Sequence, residues 1–120
     1  MSENKKPYDL EERTATFGED VITFVKNLEQ NAVTRPLISQ LVRAGTSVGA
    51  NYMEADGAES KKDFQHKIGI SKKEAKESMH WLRMMAKALP ERAEGSRVLW
   101  KEAHELVLIF SSILKSKKQI

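Results

Sequence analysis

The sequence predicts an all-α fold, an antiparallel up-and-down four-helix bundle that assembles into an oligomer. Two patterns carry that expectation. Apolar residues recur at spacings of three and four along four stretches, and no stretch alternates residue by residue as a half-buried strand would. Gly57, Pro90 and Gly95 fall between those stretches, leaving short connections that favour antiparallel neighbours. The 120 residues suit a single domain over 1–120, with helices over about 9–29, 35–55, 60–89 and 96–115.

The first helix has Asp9 as its N-cap candidate and Glu11 and Glu12 in its first turn, where the helix dipole favours acids. Leu10, Thr14, Phe17, Val21, Phe24, Val25 and Leu28 form its core stripe. In the second helix Thr34 can cap and Pro36 sits in the first turn, where its missing N–H costs nothing. This helix carries two apolar faces. One holds Leu37, Leu41, Ala44, Val48, Tyr52 and Ala55; the other holds Ile38, Val42, Gly45, Gly49 and Met53. Only a narrow arc with Gln40, Arg43, Ser47 and Glu54 is polar, so the helix should be enclosed on most sides. Each mid-helix glycine costs about 1 kcal/mol against alanine, which close backbone packing can offset.

Ser60 followed by Asp63 resembles a capping box and opens the third helix, which stops before Pro90. Its stripe is Phe64, Ile68, Ala75, Leu82 and Leu89, flanked by Met79, Met85 and Ala86. The fourth helix presents Leu99, Ala103, Leu106, Phe110 and Ile113, widened by Trp100, Val107 and Leu114, with Leu108 and Ile109 off that stripe. The spare apolar face of helix two, with Trp81 on a flank of helix three, is the expected oligomer interface: Ile38, Val42, Gly45, Gly49, Met53 and Trp81. A monomer with some exposed aliphatic residues is the alternative.

Composition excludes several classes. No apolar run approaches the roughly 20 residues of a membrane span. Met1–Pro7 is polar and lacks the apolar core of a secretory signal. With no cysteine there is no disulfide framework, thiolate zinc site or cysteine nucleophile, and a cytoplasmic setting fits. The net charge of +3 is unevenly spread: residues 1–60 carry −4 and residues 61–120 carry +7. Such asymmetry suits a polyanionic partner or self-association through opposite faces.

The main polar feature lies on helix three. Lys62, His66, Lys73, Lys76, His80, Arg83 and Lys87 step by threes, fours and one seven, so all fall on one side of the helix, with Lys61 and Lys72 beside them. A continuous basic ridge of this kind can track a phosphate backbone by displacing counterions; the plainer reading is a solvated face. No aromatic residue interleaves the ridge as a base-stacking platform would require.

The histidines do not suggest a metal site. His66 and His80 stand about 21 Å apart along one helix, and no carboxylate–histidine motif accompanies them. Glu54, Asp56 and Glu59 cluster at a helix end and read as a solvated boundary, so no cofactor is expected. One enzymatic alternative has a loose motif behind it. Helical ribonucleases of the HEPN type place a His a few residues after an Arg, and Arg97 and His104 share a face of helix four, though Val98 stands where those enzymes carry a polar residue.

The run Gln40-Leu41-Val42-Arg43-Ala44-Gly45-Thr46-Ser47-Val48-Gly49-Ala50-Asn51-Tyr52-Met53-Glu54-Ala55 resembles the signature of the bacterial four helix bundle proteins, also called 23S rRNA intervening sequence proteins or the S23 family. Leu10-Glu11-Glu12-Arg13-Thr14 with Phe17 is similar to that family's first helix. Ser60-Lys61-Lys62-Asp63-Phe64, Lys73-Glu74-Ala75, Glu77-Ser78 and Trp81-Leu82 are similar to its third. Ala44 departs from the family's serine, and helix four matches in pattern only. The resemblance implies a homopentamer around a central channel and no catalytic residues. A related accessory protein of diversity-generating retroelements is a basic pentameric barrel that binds nucleic acid and a reverse transcriptase. The expected function is therefore non-enzymatic RNA or DNA binding by a homo-oligomer. Arg43 and Glu54 are expected to form ion pairs across helices or subunits, and Asn51 to be buried and hydrogen-bonded. A scaffold docking a partner protein through Trp81 or helix four is the alternative.

Overall fold

The computed structural model describes residues 9–118. Four helices follow one another, α1 (Leu10–Lys26), α2 (Thr34–Asp56), α3 (Lys61–Ala88) and α4 (Ala93–Lys118), with a 3-10 turn at Pro90–Arg92 leading into α4. No strand occurs among the described residues. The polar stretch Met1–Pro7 lies outside them, as do residues 119–120 and the side chains of Lys117 and Lys118.

The start and stop chemistry is partly other than expected. Ser60 does cap α3, its Oγ accepting from the Asp63 N–H at 3.0 Å. Asp9 makes no side-chain cap bond, and Thr34 is the first residue of α2 rather than its cap. The cap comes from Asn31, whose Oδ1 accepts from the N–H groups of Val33 and Thr34. The Thr34 hydroxyl instead ties the loop, donating to Glu29 O at 2.7 Å and accepting from Asn31 N–H. Helix α1 ends three residues early, and Leu28 turns inward from the loop to join the core. Helix α4 begins at Ala93 rather than near Ser96, because the turn started by Pro90 runs directly into it and Gly95 does not break it.

The helices pack as a ring of neighbours, α1 on α2, α2 on α3, α3 on α4, with α4 closing on α1 along a narrower seam. The end of α2 returns to the start of α1, where Asp56, Glu11 and Asp9 add to burial in raising the Tyr52 phenol pKa. The start of α4 meets the end of α1 at Gly95 and Phe24. These meetings make the bundle antiparallel and up-and-down. The narrow α1–α4 seam is clamped by a fork. Arg13 Nε and Nη2 donate to the two Glu102 carboxylate oxygens at 2.7 and 2.9 Å, a bidentate geometry firmer than a simple surface pair.

The core is built from the stripes read in the sequence, including Phe17, Val21, Leu41, Val48, Ile68, Leu82, Leu106 and Phe110. Met85 and Ile109 join it, while Leu108 points outward. Small residues bring α3 against α2: Ser71, Ala75 and Ser78 are all fully buried, and Ser71 Oγ donates across to Val48 O at 3.0 Å.

The α2 glycines serve the packing against α1. A Cβ on Gly45 would stand 3.0 Å from a methyl of the fully buried Val21, and one on Gly49 would stand 3.3 Å from Thr14 O. Gly69, in mid-α3, has open space around it. Gly69→Ala should therefore raise stability by about 1 kcal/mol. Gly49→Ala should lower it, since the backbone of α1 must move to admit the methyl. Urea-unfolding midpoints of the two variants check this contrast.

Candidate nucleic-acid interface

Helix α3 sorts its charges by side. Lys62, His66, Lys73, Lys76, His80, Arg83 and Lys87 are all exposed, along about 37 Å of helix. Among the described residues none of them has an ion-pair partner. Two carboxylates of the helix, Glu74 and Glu77, sit on the flank facing α2 and are held there. Arg43 reaches from α2 to Glu74 at 3.1 Å and to Glu77, and Lys67 of α3 reaches back to Glu54 of α2 at 2.6 Å. Both sets of ion pairs cross between helices of one chain. The Trp81 indole N–H also donates to Glu77, at 2.9 Å. That bond, then Arg43, holds the Glu77 carboxyl below its usual pKa. Trp81 is half-buried and meets the edge of His80 with ring centroids 4.8 Å apart.

The expected interface on α2 is largely occupied within the chain. Gly45 and Gly49 face α1, and Ile38 and Val42 are half-buried against the core. The reason is that α2 lies between two close neighbours, so both of its apolar faces are covered from within. Asn51 is half-buried rather than enclosed, and its Nδ2 donates at 2.9 Å to Ser47 O of its own helix. Met53 alone of that set stays exposed, at 56 %. It shares a groove of about 350 Å³ between α1 and α2 with Ile22, Gly18, Gly49 and Ala50, beside the carboxylates Glu11, Glu12 and Glu19.

Arg97 and His104 each have a neighbour on their own helix. Arg97 turns back to Glu94 at 2.8 Å, and the His104 ring lies 5.2 Å from that of Trp100. Among the described residues no group of three or more His, Asp or Glu is placed to hold a metal ion, and no helix is long and apolar enough to cross a membrane.

Helical periodicity alone misses a second groove, between α3 and α4. Arg83 of the ridge lines it together with Leu82, Ala86, Ser96, Trp100 and Lys101. The sequence does hold a signal for it: Arg97, Trp100, Lys101 and His104 share one face of α4 by their spacing. Taking helices one at a time hides it, because the aromatic residue and the ridge belong to different helices.

The family model described as 23S rRNA-intervening sequence protein matches residues 8–106. A crystal structure of a protein of unknown function from the S23 ribosomal protein family of Bacteroides thetaiotaomicron VPI-5482 superposes with a TM-score of 0.77. It is 29 % identical over 88 % of this chain and 97 % of that one. No curated protein matches the chain.

The Arg43–Glu77–Trp81 network makes a pH-dependent contribution whose sign is fixed. A carboxyl with a depressed folded pKa stabilises the fold above its unfolded value, near 4.5. That contribution is lost as the pH falls through the lower folded value. Wild type should therefore exceed Glu77→Gln in stability at neutral pH, and the difference should shrink at acid pH, below the unfolded value of 4.5. Urea titrations at both pH values measure the difference.

Proposed function

Because the chain belongs to the 23S rRNA-intervening sequence protein family, we propose that it is a non-enzymatic nucleic-acid-binding protein acting as a homo-oligomer, a pentamer, in the cytoplasm. The single observation that supports binding is the unpaired ridge of α3. Seven side chains that can carry positive charge line one side of a helix whose Glu74 and Glu77 are paired with Arg43 of α2. A surface of this kind binds RNA or DNA through phosphates, with little sequence preference and steep salt dependence. Repetition of the ridge around a closed assembly would multiply weak attractions by avidity.

Assembly is supported by what one chain leaves uncovered. The α1–α2 groove exposes Ile22 and Met53 beside three carboxylates, and α4 exposes Val98 and Leu108 on another side. Two different apolar surfaces suit a head-to-tail interface, which closes into a ring when the rotation permits. This groove takes in Gly49 and Met53 of the expected α2 interface and adds Ile22 of α1 to it.

Neutralising Lys73, Lys76, Arg83 and Lys87 together should abolish RNA and DNA binding. In variants neutralised one at a time, the log–log salt slope on duplex DNA should fall by about 0.9 for each phosphate no longer neutralised. Electrophoretic mobility shifts over a salt series measure both, and undiminished binding by the quadruple variant removes the ridge as the site. Met53→Lys should lower the subunit number by light scattering coupled to size exclusion. A wild-type chain that runs as a monomer at high concentration ends the assembly proposal.

A further inference from the structure

We infer that the groove between α3 and α4 is a base-stacking pocket for single-stranded nucleic acid, with Trp100 as its aromatic face. The inference rests on the nucleic-acid reading above and adds a site to it. The groove measures about 480 Å³, within the range of small-ligand sites. Leu82, Ala86 and the half-buried indole of Trp100 give it an apolar floor. Arg83 from α3 and Lys101 from α4 bring cations to it from both sides, and Arg97, paired with Glu94 at 2.8 Å, lines it too. Aromatic surface flanked by cations is how sequence-tolerant single-strand sites are built. The ring takes the face of a base, and the cations take the phosphates on either side.

A second observation comes from Ser96. It is 2 % exposed and lines the groove, and its Oγ has no hydrogen-bond partner. A buried hydroxyl is almost always paired, commonly with a carbonyl one turn back in its own helix. The edge of a base seated on Trp100 carries both donors and acceptors and can supply the partner this hydroxyl lacks. The site also joins the ridge, because Arg83 belongs to both. A strand lying along α3 would reach Trp100 without leaving the basic surface. Duplex bases are already stacked within the helix, so the pocket selects unpaired nucleotides.

The test uses the full chain with Trp81→Phe, which leaves Trp100 as the sole tryptophan. Oligo(U) of about a dozen nucleotides and a duplex of equal length are titrated, following Trp100 emission and, separately, the anisotropy of an end-labelled strand. Saturable quenching by oligo(U) and none by the duplex is expected. Trp100→Leu, which keeps apolar bulk without a π face, should weaken oligo(U) about tenfold and leave duplex binding unchanged. If Trp100→Leu does not fold, the emission titration alone decides. If anisotropy reports binding while Trp100 emission stays constant, the pocket is overturned and the ridge stands. If neither nucleic acid binds, both readings fall. Equal quenching by poly(glutamate) also overturns the pocket, because the ring is then not reading a base.

Discussion

The architecture depends on how closely α1 can lie against α2. Gly45 and Gly49 have no side chain where Val21 and the backbone of Thr14 pass, and Gly18 places its own bare face against the α2 backbone at Thr46. Glycine in mid-helix is a poor choice for the helix alone, at about 1 kcal/mol each. Close packing along the whole seam offsets it. With α1 seated so near, α2 has room on its other side for α3, which approaches through Ser71, Ala75 and Ser78. That second approach sets the roll of α3 about its axis. Its Glu74 and Glu77 then turn toward α2, and the ridge from Lys62 to Lys87 turns away from it.

Charge sorting follows from that roll. Arg43 and Glu54 of α2 draw the opposite charges of α3 to the seam, Arg43 through Glu74 and Glu77 and Glu54 through Lys67. These are partly exposed pairs and add little to stability singly. Their larger effect is to share Glu74 and Glu77 with Arg43, so these carboxylates offset less of the ridge's charge, although Lys73 still acts on the Glu77 carboxyl. A lysine left without a local carboxylate keeps its counterions in solution, where a phosphate chain can displace them. The uneven charge of the two halves of the sequence thus becomes a property of two faces, acidic at the α1–α2 groove and basic along α3.

Much of this is legible in the sequence. The stripes of α1 and α3, the Ser60 cap and the exposed side of the ridge all depend on positions within one helix, and helical periodicity reports those directly. What stays hidden depends on two helices at once. The doubly apolar surface of α2 reads as an unmet need for a partner, yet α1 and α3 of the same chain meet most of it. Asn31 rather than Thr34 caps α2 because the loop folds back on itself, and loop geometry has no period to read. Gly95 looks like a boundary, but it sits inside α4 where Phe24 of α1 crowds it. By its spacing Trp100 stands at the margin between the inner stripe of α4 and its Arg97–Lys101–His104 face, and only the seam with α3 places it beside Arg83.

The up-and-down course of the chain has a geometric corollary. An even number of antiparallel helices brings the first turn of α1 and the last turn of α4 to the same end of the molecule. Any sequence joined to either terminus would emerge on that side.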